Sequence, residues 1–161
     1  MNKYEKYRCL DDIKKEVRIK IMDFIIENEG PVSIESAKAY IMSKMGLETT
    51  YVEEVIKQFI DTNVMVADEE YINFIFPVSG YETNHKITLE DGRTFSAMCA
   101  IDSIGTSYTF DQSVEINSSC SSTGKEISLK VNSGNVEYVN NKDLRVIHIN
   151  LEKHSEWASS C

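Results

Sequence analysis

The sequence predicts an α+β protein in which a helical first half precedes a β-rich second half. Up to residue 80, apolar residues recur at steps of three and four, which is the spacing of one helix face. After residue 80, short apolar stretches alternate with turn sequences, which indicates a mixed or antiparallel sheet. We therefore expect an N-terminal domain over residues 1–80 and a second domain over residues 81–161.

The first half contains the patterns of three helices. The apolar face of the first helix consists of Leu10, Ile13, Val17, Ile21, Phe24 and Ile25. We expect Ser33 to cap a second helix that ends at Gly46. Thr50 and Glu53 have the spacing of a capping box, which predicts the start of a third helix.

Two strands around an acidic turn are predicted over Val64 to Phe76. Three helices followed by such a hairpin correspond to a winged-helix-like module, in which the third helix would be the element that contacts DNA. Here the segment from Glu48 to Asp61 has four carboxylates and one basic residue, Lys57. Because carboxylates repel phosphate, we expect a module that is structural or gates substrate, and no nucleic-acid partner.

Charge and hydropathy restrict the remaining partners. The net charge of -9 disfavours anionic membrane surfaces, and no apolar run approaches the length of a membrane span. The N-terminus lacks the apolar core of a signal peptide, so we expect a cytoplasmic protein without a membrane partner. Thiols stay reduced there, and the cysteine spacing fits neither a disulfide framework nor a zinc finger. The cysteines are Cys9, Cys99, Cys120 and Cys161.

The second half contains the patterns of two hairpins and one further strand. The first hairpin, "HKITLEDGRTFSAMCAI", turns at Glu90-Asp91-Gly92. The second, "SVEINSSCSSTGKEISLKV", turns around Ser122 to Lys125. The further strand is predicted over Leu144 to Glu152.

Two stretches of these hairpins resemble the central region of organomercurial (alkylmercury) lyases. They are "DGRTFSAMCAIDSIG" and "SVEINSSCSSTGKEISLKV". The resemblance implies that Cys99 is the first catalytic cysteine, Asp102 the catalytic aspartate and Cys120 a structural cysteine. The second catalytic cysteine lies far downstream in the family, and the candidate in this chain is its last residue, Cys161. The family continues with a strand and a helix, so we expect either a truncated sequence or a divergent member.

The implied reaction is protonolysis of a carbon–mercury bond in an organomercurial, giving a hydrocarbon and Hg(II). Mercury is a soft ion that selects thiolates, which explains two cysteines, Cys99 and Cys161, as metal ligands. A carboxyl can take a proton from an incoming thiol and deliver it to carbon, so Asp102 would be the proton shuttle and a further metal ligand. No organic cofactor is required. Hg(II) would be bound as product and then pass to external small thiols or a mercuric reductase.

Other interpretations of the same residues stay open. Cys99 could be an ordinary buried cysteine, and Asp102 could cap a helix beginning near Ser103. His85, His148 and His154 have no ligand spacing and are interpreted as surface or edge-strand residues. We expect Trp157 to pack onto the core or, in a lyase, to border the mercury site.

Two other functions follow from these alternatives. One is a soft-metal protein that binds Hg(II) or Cu(I) without turnover on the same scaffold. The other is a metal-responsive winged-helix regulator, which the acidic third helix disfavours.

Overall fold

The computed structural model describes residues 10–146, and within them the protein is α+β, as the sequence predicts. Between residues 10 and 146, four helices pack against one large antiparallel sheet. The helices are α1 (Asp12–Asn28), α2 (Ile34–Met45), α3 (Thr49–Asp61) and α4 (Ala100–Phe110). The strands are β1 (Val32–Ser33), β2 (Met65–Ala67), β3 (Tyr71–Ile75), β4 (Val78–Ser79), β5 (His85–Leu89), β6 (Thr94–Ala97), β7 (Val114–Ser119), β8 (Glu126–Asn132) and β9 (Asn135–Val139).

The sheet runs in the order β1-β3-β4-β6-β5-β7-β8-β9, with β2 also paired to β3. Strands from both halves of the sequence therefore belong to one sheet, and β4 joins them by pairing with β3 on one side and β6 on the other. The division into two domains at residue 80 stays a prediction. None of the helices between residues 10 and 146 is long and apolar enough to cross a membrane.

The three N-terminal helices occur where the sequence predicts them. Ser33 caps α2 because its hydroxyl accepts a hydrogen bond from the Ser36 N–H, and Gly46 ends that helix in the left-handed region at φ 65°. The predicted capping box at Thr50 is wrong. The helix begins earlier, at Thr49, so Glu48 occupies the N-cap position and makes no side-chain capping bond.

The predicted hairpins are present. β2 pairs with β3 after α3, β5 with β6, and β7 with β8, all antiparallel. The winged-helix assignment of the first half stays a prediction. Residues 144–146 lie outside any strand, and the rest of the strand predicted up to Glu152 lies outside the described residues.

In the described part of the chain, one apolar core joins the helices to the sheet. Buried side chains from α1, such as Val17 and Ile21, belong to the same cluster as Ile75 of β3 and Ile87 of β5. Helix α4 packs on one face of β5, β6, β7 and β8. That helix follows β6 directly, so the segment that joins them is held between a buried strand and a packed helix.

Candidate active site

Cys99 lies at the junction between a strand and a helix. Strand β6 ends at Ala97, and two residues later Cys99 occupies the N-cap position of α4 with extended backbone angles, φ -149° and ψ 175°. Its carbonyl oxygen accepts the first backbone hydrogen bond of the helix, from the Ser103 N–H at 2.9 Å. The strand and the helix therefore fix both sides of this cysteine.

Asp102 lies in the first turn of α4, three residues after Cys99. The Cys99 Sγ donates a hydrogen bond to Asp102 Oδ2 at 3.1 Å, and both residues are half-buried. The interpretation of Asp102 as the N-cap is wrong, because the helix begins at Ala100 and the N-cap position belongs to Cys99. The start of the helix thus brings the predicted thiol and carboxyl into contact.

Two hydrogen bonds to buried residues hold the backbone at and next to Cys99. The Ser103 hydroxyl donates to the Cys99 carbonyl at 2.8 Å, and Ser103 is only 1% exposed. The N–H of Met98 donates to the carbonyl of Pro77 at 3.3 Å, and Pro77 follows a cis peptide bond. The cysteine is therefore tied both to its own helix and to the segment before β4.

The arrangement suits transfer of a proton from sulfur to oxygen. A thiol that donates to a carboxylate within hydrogen-bond distance can pass its proton along that bond. The N-terminus of a helix favours negative charge, so α4 supports charge on either of the two groups. Cys99 and Asp102 together therefore form a thiol–carboxylate pair that can bind a soft cation and hold one proton.

Cys120 lies in the turn between β7 and β8 and is half-buried. Its N–H donates to the Lys125 carbonyl at 2.9 Å, and its own carbonyl accepts from the Gly124 N–H at 2.8 Å. The Thr123 hydroxyl and the backbone N–H groups of Ser122 and Thr123 lower the pKa of the Cys120 thiol. These backbone bonds agree with a structural cysteine, and that role stays a prediction.

Several predicted residues fall beyond the described chain. The proposed second thiolate, Cys161, lies outside the described residues, as do Cys9, His148, His154 and Trp157. Within residues 10–146, no three His, Cys, Asp or Glu side chains lie close enough to hold a metal ion. The part of the site that the structure describes is thus the pair formed by Cys99 and Asp102.

His85 differs from the interpretation as a surface or edge-strand residue. It begins β5, an inner strand between β6 and β7, and it is half-buried. Its Nδ1 lies 2.9 Å from the hydroxyl oxygen of Ser118 on β7, and burial lowers the pKa of the imidazole. The alternation in "HKITL" predicts a strand, but it does not reveal that two other strands flank it.

Two comparisons with known proteins found matches to this chain. Residues 78–161, more than half of the chain, match the sequence model of a family described as alkylmercury lyase. The fold is similar to that in the crystal structure of the mercury-bound form of MerB2, with a TM-score of 0.62 and 24% identity. That similarity covers 86% of this chain and 65% of MerB2, so the chain spans about two thirds of that protein's length. No curated protein sequence matches.

The family match includes the strand that leads to Cys99 and the whole of helix α4. The turn around Cys120 and the chain up to Cys161 also lie within it. Because this family model matches more than half of the chain, the chain belongs to the alkylmercury lyase family.

Proposed function

We propose that the protein cleaves the carbon–mercury bond of organomercurials by protonolysis. The observation that carries this proposal is the 3.1 Å hydrogen bond from Cys99 Sγ to Asp102 Oδ2 at the start of α4. Membership of the alkylmercury lyase family supports the same reaction class. The substrate class is an organic group bound to mercury, R–Hg–X, where X is an exchangeable ligand.

The first step is capture of mercury by Cys99. The thiol proton moves to Asp102, and the sulfur forms an S–Hg bond, since a soft cation prefers a thiolate to oxygen or nitrogen. The carboxyl oxygen lies next to the sulfur and therefore next to the bound metal. Asp102 then holds the proton that the carbon needs.

The second step is cleavage. A second thiolate, which we assign to Cys161, binds mercury while its proton leaves with X. Extra electron density on mercury weakens the Hg–C bond, whose electron pair stays with carbon and takes the proton from Asp102. The products are R–H and Hg(II) held by two sulfurs. We propose small cytoplasmic thiols or a mercuric reductase as the acceptors that remove Hg(II).

Release of hydrocarbon tests the proposal. Methylmercury and phenylmercury should yield methane and benzene in the presence of excess small thiol. We expect Asp102→Asn to reduce the rate at least about 100-fold, which is the lower range for loss of a general acid. Cys99→Ala should reduce it at least as much, because it removes the thiolate that captures mercury. Asp102→Asn should still bind mercury, because it retains the Cys99 thiol.

Matched controls separate these roles from general damage. Asp111→Asn changes an exposed carboxylate at the other end of α4, where asparagine tolerates the left-handed backbone. Cys9→Ala removes a thiol that we assign no role. Both controls should retain wild-type turnover. Mercury binding that needs Cys99 without any hydrocarbon from the wild type would contradict the lyase and favour a soft-metal binding protein.

A further inference from the structure

Strand β5 lies between the two strands that lead to cysteines. Its neighbours in the sheet are β6 and β7. Strand β6 ends two residues before Cys99, and β7 ends at Ser119, immediately before Cys120. The first residue of β5 is His85, and β5 is antiparallel to both neighbours. His85 therefore lies at the end of β5 that is next to the last residues of both neighbouring strands.

Direct contacts hold His85 in that place. It lies opposite Ser118 in the register of β5 and β7. Its backbone N–H donates to the Thr83 hydroxyl oxygen at 3.1 Å, and the same hydroxyl donates to the carbonyl of Ala97 at 2.6 Å. One threonine side chain thus joins the backbone of His85 to the end of the strand that leads to Cys99.

His85 also lies on the sheet face that α4 covers. Ile87 pairs with Phe95 across β5 and β6, and the Phe95 ring lies 5.5 Å from the Phe110 ring of α4, measured between centroids. Side chains two residues apart on a strand share a face, so His85 is on the same face as Ile87. Because only Met98 and Cys99 lie between the end of β6 and the start of α4, the histidine lies at the end of the helix where Cys99 and Asp102 lie.

The imidazole is arranged as a base. Nδ1 lies 2.9 Å from the Ser118 hydroxyl oxygen, and Nε2 makes no hydrogen bond to a described residue. When Nδ1–H donates to that oxygen, Nε2 carries the free lone pair. Burial lowers the pKa of His85 below its usual 6.5, so the ring is neutral at neutral pH. The part of the reaction proposed above does not use this group.

We propose that His85 accepts the proton of the incoming thiol that removes Hg(II) from the site. This inference rests on the proposed function, because that reaction leaves Hg(II) bound between thiolates. Each acceptor thiol must lose its proton before its sulfur can bind mercury, since the thiolate is the metal ligand. An ordinary thiol has a pKa of about 8.5 and is mostly protonated at neutral pH.

The exchange balances with the groups already named. The S–H bond of the acceptor breaks, its proton goes to Nε2 of His85, and its sulfur forms a new S–Hg bond. One enzyme S–Hg bond then breaks, and the released cysteine thiolate takes the proton from the imidazolium. A second acceptor thiol repeats the sequence. No oxidant or reductant takes part, and Ser118 holds the ring in the required orientation.

Transfer of Hg(II) out of the loaded protein tests this step directly. The full chain is loaded with one equivalent of radioactive Hg(II) and mixed at neutral pH with either mercaptoethanol or trifluoroethanethiol. Radioactivity that remains on the protein is then measured over time after gel filtration. The fluorines lower the thiol pKa of the second acceptor, so a base matters less for it.

We expect His85→Gln to slow transfer to mercaptoethanol about 100-fold, the lower range for a general base. Transfer to trifluoroethanethiol should change by less than about threefold, because much of that acceptor is already a thiolate. Ser118→Ala should show the same selectivity with a smaller loss, and it provides a second variant if His85→Gln does not fold. Lys86→Gln, at the next position on the opposite face of β5, should match the wild type.

The outcomes separate the two proposals. Equal transfer rates in the wild type and His85→Gln with both thiols, or equal losses with both, would overturn the role of His85. Single-turnover hydrocarbon release should be unchanged in His85→Gln, since Asp102 delivers that proton. A wild type that shows the thiol-dependent transfer but releases no hydrocarbon would overturn the lyase and leave the role of His85 intact. A wild type that retains no Hg(II) would overturn both.

Discussion

Arg93 Nη1 lies 2.7 Å from Asp23 Oδ1, so an ion pair joins the turn before β6 to helix α1. The same guanidinium also pairs with Asp91 at 2.7 Å and lies 5.5 Å from the centre of the Phe110 ring in α4. Arg93 therefore connects the helical half of the chain, the strand that leads to Cys99 and the helix that carries Asp102. The "DGR" turn therefore has a structural role in this protein: through Arg93 it links helix α1 to the strand and the helix on either side of Cys99.

We expect Asp23→Asn to lower the free energy of unfolding by about 1 kcal/mol, because the pair is charge-assisted but partly screened by solvent. The side chain of Asp23 is 17% exposed and that of Arg93 is 35% exposed. Asp12→Asn is the control, since the Asp12–Lys15 pair is 98% and 57% exposed. The denaturation midpoint measures both. Equal midpoint shifts in the two variants would contradict a special role for the Arg93–Asp23 pair.

The carboxyl of Asp91 predicts acid sensitivity. Hydrogen bonds from Arg93 and Gln112 hold the pKa of Asp91 well below its usual 3.8. A lowered pKa in the folded state adds stability above the unfolded pKa, and this stability is lost as the pH falls below about 4. The wild type should therefore lose more stability than Asp91→Asn between neutral pH and about pH 3. Denaturation at the two pH values tests this, and parallel losses in both proteins would contradict it.

The hydrogen bond from the Ser103 hydroxyl to the Cys99 carbonyl should contribute both to the stability of the protein and to the position of Cys99. Ser103→Ala removes the 2.8 Å bond from its hydroxyl to the Cys99 carbonyl, which should cost about 1 kcal/mol of stability. Hydrocarbon release should fall by less than about tenfold, because the Ser103 N–H still fixes that carbonyl at 2.9 Å. Thr109→Ala removes a similar bond, to the Gly105 carbonyl in the middle of the same helix, and should leave turnover unchanged. Equal turnover in both variants would mean that Ser103 does not position Cys99.

Alanine substitutions at Gly105 and Gly80 should have opposite effects on stability. At Gly105, within α4, an added Cβ would meet no atom within 4 Å, so Gly105→Ala should stabilise the protein by about 0.5–1 kcal/mol through helix propensity. At Gly80, the added Cβ would lie 3.0 Å from backbone atoms of Asn73 and Pro31. Gly80→Ala should therefore destabilise by about 1–3 kcal/mol. Thermal or chemical denaturation of the pair tests the packing, and destabilisation by both would contradict the open space at Gly105.

The sequence predicts the hairpin around the site well, because its signals are local. Glu90-Asp91-Gly92 marks the turn, and Gly92 has φ 89°, a value that glycine adopts without strain. Two residues separate Cys99 from Asp102, and that spacing places both in one helical turn once α4 begins. The spacing does not tell where α4 begins, so the sequence alone left Asp102 as a possible N-cap.

Other features depend on contacts that are distant in sequence. His85 is half-buried on an inner strand between β6 and β7, and local alternation gives no information on that strand order. Strand β4 has two residues, which is too short for a periodic signal. Strand β9 could have been predicted, because Ser133-Gly134 is a dipeptide typical of turns. In the structure both residues have positive φ and form the two-residue connection after β8.

The place of β4 in the sheet matters for anyone who divides this chain. The family match begins at residue 78, the first residue of β4, and β4 pairs with β3 as well as with β6. A fragment cut at that boundary would keep Cys99 and Asp102 but present a bare strand edge with Val78, which is fully buried in the intact protein. Such an edge recruits strands from other molecules. We therefore expect residues 78–161, expressed alone, to aggregate more readily than the full chain.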